Sequence, residues 1–425
     1  MVVGTIIGAS IFVQPSLVSG AVPSPAGMLL VWGAAGVLTL IGVLVTAELA
    51  SAYPTTGGVY VFLRESYSPA LGFLWCWAMF WSMHTGIIAA IATVCARYVG
   101  FFVPLDDTGI RVVAVGVILV LSAINYVGVR HGTVLQTAFT VGKVAAVVLI
   151  VIAGFLAPER ASSPPTAADV VPSANAFIAA TVAGLFAFGG WHMVTYTGAE
   201  TVDARRTIPR ALLIGTLIVT LSYIAVNAAY LAVLSPAEVA ASNRVAAEFA
   251  DAILGSGGAA AMSALVVFST IGALIGIILT GPRVYLAAAE DGLLPRSIAS
   301  VHPRFATPHV AIVLQAVWAC VLVGTGTYRA LFTRVVYTEW IFFGLMAGGV
   351  FLLRRRPDYA PVYRAWGYPV LPVVFIISTA VIVVNQLIAD PRESIIGLGI
   401  VLAGLPFYYL RIRRRPAPVE LNANR

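Results

Sequence analysis

The stretch "VVGTIIGASIFVQP", residues 2–15, is apolar enough to lie in a membrane, yet it carries Gly4, Gly8, Ala9 and Ser10 where a spanning helix would have its middle. A second stretch of the same kind, "VAGLFAFGGWHMVTYTG" at residues 182–198, carries Gly184, Gly189 and Gly190 at the equivalent depth. Gly189 follows Gly8 by 181 residues (189 − 8), which is five apolar runs later. One Gly-rich membrane helix is ordinarily a packing feature, because small residues let helices approach closely. Two of them, in corresponding places of two halves of the chain, point instead to a bundle built from inverted repeats with one interrupted helix in each.

The rest of the chain agrees with a membrane setting. Of 425 residues, 60% are hydrophobic and 10% charged, and the mean hydropathy is +0.95, far from the mix of soluble domains. Roughly 20 apolar residues are needed per crossing. Twelve such runs can be drawn, at about 2–20, 27–50, 69–100, 110–128, 133–156, 174–198, 209–234, 258–285, 308–325, 330–353, 368–389 and 393–411. Unbroken runs such as "VAVGVILVLSAI" argue for helices, since barrel strands alternate over segments of ~10 residues. The expectation is an all-α integral membrane protein of about twelve transmembrane helices, with helices 1 and 6 discontinuous. One domain covers 1–411, with repeat one at about 1–156, repeat two at about 174–353 and extra helices at about 368–411. A basic cytoplasmic tail, 412–425, follows.

Arginine sets the orientation, because basic residues are retained on the cytoplasmic side. With the N-terminus inside, the inner loops and tail hold 17 arginines and the outer loops 7. Both termini are therefore expected in the cytoplasm of a multi-pass cell-membrane protein, and the formal net charge of +7 reads as a topology signal. A nucleic-acid partner would need a soluble basic face, and none is visible. The first run lacks a basic leader region and continues to spanning length, so a cleavable signal peptide is not expected. Cys76, Cys95 and Cys320 fall within runs at spacings that suggest no pairing.

The interrupted helices carry the chemistry. Backbone unwound at mid-membrane exposes N–H and C=O groups that need partners, and half-helix ends present partial charges of both signs. A zwitterion satisfies both, its carboxylate on N–H groups at a half-helix N-terminus and its ammonium on freed carbonyls. A channel would want rings of repeated polar residues. A membrane enzyme would want a metal cluster or an activated nucleophile, and no HExxH, CxxC or GxSxG is present. No cofactor or metal is expected.

Lys143, in "TAFTVGKVAAVVLIV" (137–151), is the one lysine in the chain. It lies about ten residues into its run, roughly 15 Å at the helical rise, too deep to snorkel to the interface. A charge there costs about 2.5–3.5 kcal/mol on insertion scales, so its ammonium should face the bundle interior and find carbonyls.

The segments "GTIIGASIF", "ELASAYPTTGGVYVFLRES", "FAFGGW…TGAETVDARRTIPRAL" and "GPRVYLAAAEDGLLPRSIASVHPRFATPHVAI" resemble the amino acid-polyamine-organocation (APC) superfamily. Within it they resemble most the L-type amino acid transporters and their bacterial relatives. The resemblance implies a LeuT-like 5+5 fold and sodium-independent transport of small or medium neutral L-amino acids, by exchange or linked to protons. A cationic amino acid or polyamine antiporter of the same superfamily is the alternative. It implies that amides around Gly8, Ala9 and Ser10 bind substrate carboxylate, and that carbonyls of Ile6, Phe186 and Gly189 face the ammonium. Phe186 would lid the site from outside, beside Gly190. Trp191 and His192 would lie just beyond the break, and Tyr230 near the substrate. Lys143 would stand where sodium-coupled relatives bind a cation between helices 1 and 8. The family usually has glycine where Ser10 stands, and the extra side chain beside the substrate favours small or medium neutral substrates. Heteromeric animal members bond to a heavy subunit through a cysteine after helix 3. None lies between Arg97 and Arg111, so no disulfide-linked partner is expected.

Overall fold

The structure is a computed structural model that describes residues 1–8, 10–157, 172–255, 257–326 and 328–412, with backbone alone at 129–133, 328–336, 411 and 412. The first run divides into α1 (Val2–Ile6) and α2 (Ser10–Ala21), followed by α3 (Pro25–Ala52), the short α4 (Val59–Ser66) and α5 (Pro69–Ala78). A π-helical turn, Met79–Met83, joins α5 to α6 (His84–Val99); α7 (Asp107–Val127) and α8 (Val129–Leu156) complete the first half. The second half opens with α9 (Ala174–Ala187), which breaks before the 3-10 segments Trp191–Tyr196 and Gly198–Glu200. Then come α10 (Ala204–Val233), α11 (Pro236–Ala241), α12 (Val245–Leu254), α13 (Gly258–Thr280) and α14 (Pro282–Glu290). The chain ends with α15 (His309–Thr325), α16 (Tyr328–Leu353), α17 (Val370–Ala389), α18 (Pro391–Leu402) and α19 (Gly404–Ile412).

The fold is all-helical among the described residues, apart from one isolated bridge between Thr56 and Thr197, as the sequence predicts. Nine helical stretches among them are long and apolar enough to cross a membrane, and His309–Thr325 and Tyr337–Leu353 are shorter apolar helices. The interrupted first run escapes that count because neither half spans alone. Three short helices, α4, α11 and α12, were not expected from the apolar runs. They lie in connections, where turn chemistry rather than hydropathy marks them. Ser235 shows this at α11, where its side chain and Glu238 form a reciprocal capping box.

Burial sorts the helices into an inner and an outer set. α10 packs along α3, α2 against α9, and α13 against α6, α8 and α12, while α1 is held among α8, α10, α13 and the segment after the α9 break. The outer helices instead present large apolar side chains outward, as with Leu119 of α7, Leu149 of α8 and Ile377 of α17. With no water in the hydrocarbon to hide from, such faces need no cover. Both interrupted segments therefore sit at the centre of the bundle.

Polar ties between connections define two faces. Glu48 meets Arg354, Glu200 meets Arg283 and Thr307 meets the Tyr126 carbonyl, all on the face where α1 begins, called here the N-terminal face. On the opposite face the Ser19 hydroxyl donates to the Pro236 carbonyl at 2.6 Å.

Candidate functional site

α1 is only five residues long, so most of its carbonyls have no helical partner. Lys143 of α8 supplies one: its Nζ donates to the Gly4 carbonyl at 3.0 Å and to the Ile7 carbonyl at 2.8 Å. The side chain is 2% exposed, and its stem runs over Gly272 of α13, where an added Cβ would come within 2.9 Å of the Lys143 Cε. Glycine is required there because the Phe139 Cβ, 2.5 Å from such an atom, and the lysine stem together occupy the space of a side chain. Ser269, one turn earlier on α13, has its hydroxyl 3.4 Å from the Gly8 carbonyl. The ammonium thus joins the broken first helix to α8 while packing on α13.

The second break is made differently. After α9 the chain turns tightly, with the Phe188 amide donating to the Leu185 carbonyl at 3.1 Å and the Gly189 amide to the Phe186 carbonyl at 3.0 Å. Gly190 then adopts φ +95°, a left-handed conformation that side chains disfavour, and a Cβ on it would lie 3.1 Å from the Thr5 carbonyl oxygen. The two breaks are therefore in contact. Tyr223 of α10 bridges them as well, its hydroxyl lying 3.0 Å from the Ile6 carbonyl and 3.0 Å from the Ala187 carbonyl. Its proton is shared between the two carbonyls, so the hydroxyl ties the two helix ends together.

Between the breaks lies a small cavity of about 30 Å³. Of the residues expected at the site, Ile6, Gly8, Ser10, Phe186, Gly189, Gly190 and Trp191 line it; Ala9 lies outside the described residues. As the first residue of α2, Ser10 begins a turn whose amides have no helical acceptor, which is the donor set an anion needs. The Ile6 carbonyl accepts one hydrogen bond from Tyr223 and retains a second lone pair.

Two expected residues stand apart from the cavity wall. His192 is packed within an aromatic cluster, its ring centroid 4.9 Å from Phe343, 5.5 Å from Tyr196 and 5.8 Å from Trp75. Tyr230 packs on Phe249 of α12 at 5.1 Å. Tyr223 takes the place at the breaks. It lies on the same face of α10, two turns earlier, and that seven-residue spacing is the only signal that could have found it. The wall is completed by Ile87 and Ile91 of α6, Ile277 of α13, and Glu339, Trp340 and Phe343 of α16. Glu339 stands midway along α16 and is 6% exposed.

The N-terminal face is closed by ion pairs. Arg283, itself 2% exposed, forms a two-pronged pair with Glu200 at 2.8 Å on each arm. Asp291 accepts from the Tyr60 hydroxyl at 2.5 Å and from Arg64. Burial, reinforced by the Asp291 carboxylate, pushes the Tyr60 phenol above its usual range, so it remains a donor. Glu48 is fully buried and ties the end of α3 to the loop after α16 through Arg354, Tyr359 and the Ala365 amide. On the opposite face a larger vestibule, about 550 Å³ in volume, is lined by Val13, Val94 and Ala183. Each is three residues from a wall residue of the inner cavity, namely Ser10, Ile91 and Phe186. The vestibule is therefore one helical turn further out along the same three helices. Among the described residues no cluster of three or more His, Cys, Asp or Glu could hold a metal ion.

Comparison with known sequences places this geometry. Residues 1–405 match the model of a family described as amino acid permease. The chain is 32% identical over 429 residues to the human large neutral amino acids transporter small subunit 2, covering 97% of this chain and 78% of that protein. It is 32% identical over 432 residues to the human Asc-type amino acid transporter 1, covering 98% and 82%. It is also 32% identical over 419 residues to the serine/threonine exchanger SteT of Bacillus subtilis strain 168, covering 98% and 95%.

Proposed function

The chain belongs to the amino acid permease family, and from that premise we propose that it carries small or medium neutral L-amino acids across the cell membrane, without sodium, by alternating access. It is a multi-pass membrane transporter and not an enzyme. The substrate class rests on relatives whose names specify large neutral amino acids, or serine and threonine. The observation that carries the rest is the placement of Lys143. Its ammonium holds two carbonyls at the end of α1, against α13, where a bound cation would otherwise be needed to satisfy them. A fixed positive charge removes the reason for sodium.

In this reading the substrate carboxylate takes the amides at the start of α2, around Gly8 and Ser10. The ammonium takes the carbonyls of Ile6, Phe186 and Gly189, Phe186 separates the site from the vestibule, and Trp191 bounds it from within. We assign repeat one to about residues 1–156 and repeat two to about 174–353, and place the N-terminal face in the cytoplasm on the arginine bias. The chain is proposed to work without a disulfide-linked partner subunit.

The deciding measurement is uptake of a radiolabelled amino acid panel into proteoliposomes, with sodium, pH gradient and internal amino acid varied separately. Uptake of neutral amino acids that ignores sodium and rises with internal amino acid supports sodium-independent exchange, and a response to the pH gradient supports proton linkage. Sodium-dependent uptake would remove the role given to Lys143.

A further inference from the structure

The inner cavity has one ionisable side chain among its lining residues, Glu339. It is 6% exposed, and the ion pairs among the described residues join Arg64, Arg283 and Arg354 to other carboxylates. Lys143 is already committed to two carbonyls. A carboxylate taken out of water with no donor is costly, by far more than a neutral polar group. A membrane protein that keeps one in the wall of its substrate cavity has a use for it.

The geometry says what that use is. The two helix breaks account for the groups common to every amino acid. The remaining walls come from α6, α13 and α16, and a substrate's side chain must lie against them. Those walls are otherwise apolar or aromatic, with Ile87, Ile91, Ile277, Trp340 and Phe343 around Glu339. The hydroxyl of Thr5, also on the wall, is spent on backbone carbonyls at 3.0–3.3 Å. An aliphatic side chain would leave the carboxylate unsatisfied; one carrying an O–H or N–H would satisfy it.

We propose that Glu339 is a specificity-determining residue that accepts a hydrogen bond from a donor on the substrate's side chain. The cavity then selects amino acids bearing a side-chain hydroxyl or ammonium over apolar ones of equal size. This rests on the amino acid transport reading above. It goes beyond that reading in naming the side-chain chemistry and the residue that reads it.

Threonine and valine are near-isosteric and differ in the donor, and 2,4-diaminobutyrate supplies an ammonium instead. In proteoliposomes the wild-type protein should favour threonine over valine by about tenfold in kcat/KM, the equivalent of one net hydrogen bond. In Glu339→Leu the ratio should fall to within about twofold while valine uptake persists. Glu339→Gln should keep the hydroxyl preference and lose diaminobutyrate. Preference for threonine over diaminobutyrate in the wild type identifies the hydroxyl as the natural donor and fits the neutral substrate class; the reverse identifies the ammonium and replaces the neutral class with the cationic alternative. Should Glu339→Leu not transport, thermal stabilisation by each amino acid in detergent gives the same comparison without turnover. Equal handling of threonine and valine by the wild type, or an unchanged ratio in Glu339→Leu, overturns the assignment of Glu339 alone. No stabilisation or uptake with any amino acid overturns the transport reading along with it.

Discussion

At the scale of the residue, two positions carry the unusual backbone of the site, and each can be tested by removing one feature. Lys143→Ala deletes two charge-assisted hydrogen bonds at the end of α1, each worth about 1.5–3 kcal/mol, and leaves the Gly4 and Ile7 carbonyls bare. The variant should remain folded, because α8 still packs on α13 and α10. Uptake should fall by about tenfold or more, a loss of about 1.4 kcal/mol, as an untethered α1 no longer presents a fixed site. Uptake at the wild-type rate would defeat the claim. Gly190 fails differently, through its φ of +95° and its contact with the Thr5 carbonyl. Gly190→Ala should cost roughly 1–2 kcal/mol for the left-handed conformation alone, seen as a lower melting temperature. Gly20→Ala is the control, since a Cβ there meets nothing within 4 Å, and it should leave stability unchanged.

At the scale of the element, the sequence made the broken helices legible and left the depth along intact ones obscure. Glycine and serine in the middle of an apolar run located both interruptions, and the lone lysine in α8 marked its own partner, because a charge at that depth must find carbonyls. An uninterrupted helix offers no such landmark. Tyr223 and Tyr230 are seven residues apart on α10, so they share a face but sit about 10 Å apart along the axis, and only the packed structure shows which one reaches the breaks. Glu48 could be placed at a helix end from sequence, but its capping of a loop some 300 residues later is a tertiary fact. The two tyrosines make the point measurable. Tyr223→Phe removes the hydroxyl shared by the Ile6 and Ala187 carbonyls, costing about 1 kcal/mol, and should slow uptake several-fold. Tyr230→Phe removes a hydroxyl with no hydrogen-bond partner and should leave uptake unchanged. Equal effects would mean that α10 acts as a rigid support and that the bridge is incidental.

At the scale of the whole molecule, the structure is asymmetric about its cavity. The N-terminal face is held by Arg283–Glu200 and by Tyr60 and Arg64 on Asp291, while the other face opens into the vestibule. Alternating access requires that this asymmetry reverse, so the ion pairs must break in each cycle and their strength sets how often the N-terminal face is open. Arg283 is the sensitive member, because it is almost fully buried and its partner is about half exposed. Removing the charge on Glu200 leaves the guanidinium without its partner in the closed form, and rehydration on opening then becomes favourable. Glu200→Gln should therefore shift the population towards forms open at the N-terminal face. A shift of about 1.4 kcal/mol is tenfold in the ratio of states. The measurement uses a background in which Cys76, Cys95 and Cys320 are replaced and Ile277 on the cavity wall is changed to cysteine. A membrane-impermeant thiol reagent applied from the side of the N-terminal face should then label Glu200→Gln several-fold faster than the parent. Labelling from the vestibule side should slow correspondingly, because the two populations are complementary. Faster labelling from both sides would indicate a loosened bundle, and an unchanged rate from the N-terminal side would mean that Asp291 with Tyr60 and Arg64 closes that face without help from Arg283.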